Sequence, residues 1–184
     1  MGSPGPATLS LASFGSAYGV KPSVPYLGGI ILGTFGVLLL IATGLTGLIL
    51  AEPKITIVIT ILASLYILYL AYKIATAPLD VKSSDDISAP AFYSGFILAI
   101  ANPKAFAAIG AVYSSRTLFE DSVFLDSSGK VLALLFVIII VNTTWLIAGN
   151  LLSSVLNKPK QGRAINICFA LLLLVSVGSA LLSM

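Results

Sequence analysis

With 184 residues, 58% of them hydrophobic and 9% charged, the chain cannot clothe a soluble domain, which takes about 25% charged residues. Its mean hydropathy of +1.05 marks a polytopic membrane protein of all-α class. The sequence has no His and one Cys. It therefore lacks the commonest catalytic base and metal ligand, and it excludes a disulfide framework or a paired-cysteine redox centre. A net charge of +3 suits membrane loops and gives no reason to expect a nucleic-acid partner. No enzyme chemistry, cofactor or metal site is expected.

In chain order, Pro4-Gly5-Pro6 opens onto residues 7–18, apolar enough to lie in a membrane but too short to cross it. A helix needs about 20 apolar residues to span the hydrocarbon core. Residues 23–50, 55–75, 92–113, 131–153 and 163–183 meet that length. Within 23–50, Gly29 and Gly33 stand at small-xxx-small spacing, with Gly28 and Gly36 adjacent, which predicts close helix contact inside a hairpin. Glu52-Pro53-Lys54 separates the first two runs, and Lys158-Pro159-Lys160 separates the last two. The third run contains Asn102-Pro103-Lys104. Its proline has no N–H and clashes with the preceding turn, so it breaks the helix. Cys168 lies in an apolar run and is expected to pack there.

Two Pro-led stretches of small residues, each reaching a Tyr (Pro6 to Tyr18, Pro103 to Tyr113), divide the chain into similar halves. We expect one membrane domain over 1–184, with a first repeat of about 1–77, a connector at 78–90 and a second repeat of about 91–184. Three helices per half make the repeats inverted, and matched broken helices in such halves point to a transport site. On this scheme Pro6 lacks the apolar residues that precede Pro103, so the N-terminal half of the first helix is expected upstream of Met1. Counting Lys and Arg in short loops, Lys21, Lys73, Lys82, Lys158, Lys160 and Arg163 fall on one side. Lys54, Arg116 and Lys130 fall on the other. The first side is expected to be cytoplasmic.

Beyond each proline begins a half-helix with unpaired, partly positive N–H groups, a natural seat for a carboxylate. Lys104 is a cation deep in a span, where it costs about 2.5–3.5 kcal/mol on insertion scales. A substrate carboxylate, freed backbone carbonyls or snorkelling of its own stem would offset that cost. Asn102 caps the second half-helix or reads a substrate, and Asn142 can donate and accept. Tyr66 lies deep and can line a path, whereas Tyr72 beside Lys73 fits an interface anchor. Trp145 is a packing residue. No carboxylate lies within any span.

These motifs together resemble the LysE/RhtB family of amino-acid exporters. Pro4-Gly5-Pro6-Ala7-Thr8-Leu9 is similar to the family's first-helix signature, residues 63–71 to its third-helix pattern, and Asn102-Pro103-Lys104-Ala105 to its fourth-helix signature. Lys158-Pro159-Lys160-Gln161 also fits. The resemblance implies a six-helix secondary transporter of the bacterial cytoplasmic (inner) membrane, exporting an amino acid or derivative by alternating access. It implies coupling to an ion or proton gradient, a homo-oligomer as one possible state, and a substrate or gating site at Pro4, Gly5, Pro6, Thr8, Tyr66, Asn102, Pro103, Lys104 and Asn142. Export of another small solute or ion, or a truncated non-transporting remnant, are the alternatives. Two departures stand out. Asn142 occupies a position where the family often carries Asp, which removes a proton carrier. Residues 112–116 replace the family's aromatic and Pro-Gln segment.

Overall fold

The computed structural model describes residues 2–45, 53–76, 91–155 and 159–182. Among them lie α1 (Pro6–Tyr18), α2 (Val20–Ala42), α3 (Pro53–Ala75), α4 (Phe92–Ile100), α5 (Pro103–Ser115), α6 (Val123–Val155) and α7 (Pro159–Leu182), with no strand. By length and apolarity α2 and the 123–152 part of α6 can each cross a membrane. Helices α4 and α5 form a third, broken span, bent by 60°. α3 and α7 carry the apolar stretches Thr60–Ala75 and Gly162–Val175. Glu52, Lys158 and the whole 78–90 connector, with Lys82, lie outside the described residues.

Boundaries differ from the hydropathy expectation where polar residues favour helix. α6 begins at Val123, ahead of the apolar run that starts at 131. The Ser122 hydroxyl accepts from the Leu125 N–H at 3.3 Å, and the Ser122 carbonyl receives the Asp126 N–H at 2.9 Å. Asp126 then bridges to Lys130 at 2.8 Å, a spacing that supports a helix face. At 33 residues α6 is about 50 Å long, well beyond a core of about 30 Å. Lys130 thus belongs to a helix rather than a loop, and so does Lys21, in the first turn of α2.

α1 and α2 are joined by Gly19 alone, whose φ of 84° favours glycine. Its N–H bonds to the Gly15 carbonyl at 3.0 Å. This turn folds α1 back into the protein, where it packs on α2, α3, α6 and α7. The tightest contacts need small residues. A Cβ on Gly15 would strike the Leu146 carbonyl, and one on Gly149 the Ala12 carbonyl, so α1 and α6 meet backbone to backbone. Gly29 and Gly33 do the same for α2 against Phe92, Phe96 and Ala99 of α4. Their partner is therefore α4 and not the following helix of their own half, which corrects the hairpin expectation. Gly36 faces open space.

Two apolar clusters form the interior. One joins Leu9, Phe14, Tyr26, Ile30, Ile67, Leu98, Leu146 and Leu173. The other joins Val37, Leu38, Ile109, Leu134 and Ile138. Large apolar side chains also face outward, Tyr72 at 68%, Leu132 at 67% and Phe136 at 66% exposure. In water such a surface would drive association, whereas in a bilayer it contacts lipid tails. Cys168 is exposed as well, so it faces outward instead of packing inside as its apolar run suggested.

Candidate functional site

The two Pro-led helix starts, α1 at Pro6 and α5 after the break at Asn102, resolve their backbones differently. Pro6 occupies the first turn of α1, where a missing N–H costs nothing. Gly5 precedes it in extended conformation. The buried Thr8 hydroxyl accepts from the Gly5 N–H at 2.9 Å and donates to the Gly5 carbonyl at 3.1 Å. No side chain caps the N–H groups of α1 itself, so those of Ala7 and Thr8 remain open. At the break before α5, α4 ends with the Ala101 N–H on the Ile97 carbonyl at 2.9 Å. Asn102, 5% exposed, then caps α5: its Oδ1 accepts from the Lys104 N–H at 3.2 Å. Pro103 sits in the first turn.

Lys104 ties the two helix starts together. Its side chain crosses Gly5, where an added Cβ would lie 2.7 Å from Lys104 Cδ. Its ammonium donates to the carbonyls of Pro4 and of Ser3 at 3.3 Å. Backbone oxygens just ahead of α1 thus solvate the cation in the first turn of α5. Trp145 adds to this region, donating its indole N–H to the Gly2 carbonyl at 3.2 Å, a hydrogen bond beyond the packing role its sequence context suggests.

Between the two starts lies a cavity of about 60 Å³. Gly5, Ala7 and Thr8 line it from the start of α1, and Asn102, Lys104 and Ala105 from that of α5. Thr34 lines it from α2 and Asn142 from α6, with Ile109, Ile138 and Val141 as apolar walls. Among the described residues, no acidic one lines it. Its polar side chains form one level. On α2, Thr34 falls between Ile30 of the first apolar cluster and Val37 of the second. On α6, Asn142 falls between Ile138 of the second and Leu146 of the first. Asn102 likewise separates Leu98 from Ile109.

The hydrogen bonds settle which way both amides point. Asn102 faces a backbone N–H, so it must present its oxygen there, leaving Nδ2 without a partner among the described residues. Asn142 donates Nδ2 to the Ile138 carbonyl at 2.8 Å, leaving Oδ1 without one. The cavity therefore offers a cation, an amide donor and an amide acceptor.

Of the residues expected at a site, the structure brings Gly5, Thr8, Asn102, Lys104 and Asn142 to this cavity. Pro4, Pro6 and Pro103 are not among its lining residues; Pro4 meets the Lys104 ammonium through its carbonyl, and Pro6 and Pro103 sit in the first turns of α1 and α5. Tyr66 is elsewhere: its hydroxyl donates to the Ser94 carbonyl of α4, and its ring packs on the first apolar cluster. Thr34 escaped notice in the sequence because a lone Thr in an apolar run normally bonds its own helix, as this one does with the Ile30 carbonyl at 2.7 Å. Only the neighbours from α5 and α6 reveal that it also borders a cavity.

Comparison with known proteins agrees with this architecture. The LysE type translocator family matches residues 1–184, the entire chain. The cysteine/O-acetylserine efflux protein of Salmonella typhimurium (strain LT2) is 30% identical over 173 residues, covering 92% of this chain and 86% of that protein. The protein of the same description from Escherichia coli (strain K12) is 28% identical over 172 residues, with 92% and 86% covered. No solved structure matches the chain. A family match across the full length, apolar outward-facing helices and a polar cavity between the Pro-led starts of α1 and α5 converge: the chain belongs to the LysE type translocators and is a multi-pass transporter of the bacterial inner membrane, not an enzyme.

Proposed function

We propose that this translocator exports a small amino acid with an uncharged side chain, of the cysteine or O-acetylserine type, and that the cavity between the two helix starts binds it. One observation carries the reading. Lys104 and the open N–H groups of Ala7 and Thr8 border the same cavity, which supplies positive charge and donors for one carboxylate. An arriving carboxylate takes the place of the Ser3 and Pro4 carbonyls on the Lys104 ammonium. That exchange loosens the hold of α5 on the segment leading into α1, and so couples binding to a change of shape.

The same reading treats α1–α3 and α4–α7 as inverted halves, joined by the 78–90 connector. The pattern of packing supports it. α1 lies on α6, and its counterpart α5, with α4 ahead of it, lies on α2, so each Pro-led element packs on a long helix of the opposite half, while α3 and α7 pack on each other. Rocking of one half against the other about the cavity would expose it to alternate sides. With Asn142 unable to carry a proton, coupling falls to another ion, to exchange, or to a proton carried by substrate or water.

The test is efflux from cells expressing the full chain and preloaded with labelled amino acids, followed by counterflow in proteoliposomes. Saturable export of cysteine or O-acetylserine is expected. Absence of export for every amino acid tried, from protein that is folded and inserted, would sink this reading.

A further inference from the structure

We infer that Thr34 and Asn142 form the amine-recognising part of the cavity and set its charge selectivity, so that it takes amino acids with one cationic group and refuses those with two. The inference rests on the exporter reading above.

Its basis is the direction of each polar group. Thr34 and Asn142 are 7% and 6% exposed, and both line the cavity. Thr34 spends its one hydrogen on the Ile30 carbonyl at 2.7 Å, and Asn142 spends one of its two amide hydrogens on the Ile138 carbonyl at 2.8 Å. The acceptors that remain are the hydroxyl lone pairs of Thr34 and Oδ1 of Asn142, on two residues that line the cavity. An ammonium group, with donors and no acceptor, is the complement of these open acceptors. Lys104, the one cation lining the cavity among the described residues, is held instead by the carbonyls of Ser3 and Pro4.

Charge then decides selectivity. A zwitterion brings one carboxylate for Lys104 and one ammonium for the two neutral acceptors. A dibasic amino acid brings a second cation to a cavity that already holds Lys104 and, among the described residues, is lined by no carboxylate. In a low-dielectric site that second charge has no partner and strongly disfavours entry.

The experiment uses purified full-length protein in proteoliposomes, with three probes: reduced L-cysteine, its des-amino analogue 3-mercaptopropionate, and L-lysine. The native protein is expected to transport cysteine, to be inhibited weakly by 3-mercaptopropionate and to ignore lysine. Thr34→Val and Asn142→Leu should each lower cysteine transport about tenfold or more, the loss of a hydrogen bond to a charged group. Inhibition by 3-mercaptopropionate should stay within about twofold of native. Asn142→Asp should gain lysine transport, a result no misfolded protein can give. The inference is overturned if cysteine transport survives both substitutions, if the des-amino analogue loses as much as cysteine, or if Asn142→Asp still refuses lysine. Failure of the native protein to move any amino acid would instead bring down the exporter reading, and this one with it.

Discussion

α1 and α5 begin alike and end in different surroundings. Each is a 13-residue helix led by proline and rich in small residues. Yet α1 is buried from Thr8 through Gly15, whereas Ile109 is the one buried residue within α5 among those described. The difference lies in what each glycine meets. Gly15 sits against the Leu146 carbonyl, and Gly149 of α6 sits against Ala12, so α1 and α6 lock at backbone distance. Gly110 of α5 has nothing within 4 Å of where a Cβ would stand. Their caps differ in the same sense. The α5 N-terminus is closed by Asn102, while α1 leaves its own N–H groups open beside the cavity. A recurrent motif therefore repeats the Pro-led start of a helix but not its role. We take α1 as the fixed post that offers backbone donors, and α5 as the lighter element that carries the cation.

The largest effect should come from attacking the post. Gly149→Val places a side chain on the Ala12 backbone, and neither backbone can yield without parting α1 from α6. A loss of about 3 kcal/mol is expected for overpacking of this kind, read as a fall in monodisperse yield and thermal midpoint in detergent. A native-like melt would show that α1 is not pinned as described.

Next come the polar residues of α5. Lys104→Ala and Asn102→Ala should lower export about tenfold or more, with a smaller fall in folded protein. Asn102→Ala also removes a cap, costing about 1 kcal/mol. Efflux per molecule of detergent-stable protein separates the two effects, and equal losses in both would reassign the residues to structure. Gly5→Ala is milder. Its methyl would meet the far part of the Lys104 side chain, which can swing aside. Export should fall severalfold as the ammonium leaves Ser3 and Pro4, with folding nearly unchanged. The gentlest test is Gly110→Ala. With open space around it, the substitution should stabilise α5 by about 0.5–1 kcal/mol through helix propensity alone. Export should stay at the native level, and a marked loss would mean that α5 packs more tightly in another state of the transport cycle.

Hydropathy and two prolines made much of this protein legible from its residues: membrane embedding, the apolar runs, the break at Asn102-Pro103 and the interest of Lys104. Those features depend on local composition, because lipid forces the backbone to satisfy itself within each segment and a proline always disrupts that satisfaction. Helix ends were less legible. Ser122 and the Asp126–Lys130 pair extend α6 through polar residues that an apolar window discards. The site was half visible: Gly5, Thr8, Asn102, Lys104 and Asn142 stood out by chemistry or resemblance, whereas Thr34 did not and Tyr66 turned out to hold Ser94 at a distance from the cavity.

What the amino-acid sequence determined by itself is the solvent, the helical class and the points where helices break. Tertiary structure alone decided which helices the glycines bring together, that Ser3 and Pro4 solvate Lys104, and that Thr34 and Asn142 share one cavity. The physical reason is range. Helix formation and burial in lipid are settled within a few turns of chain, but an open hydrogen-bonding atom acquires meaning only from what faces it, and here the groups that face one another lie about a hundred residues apart.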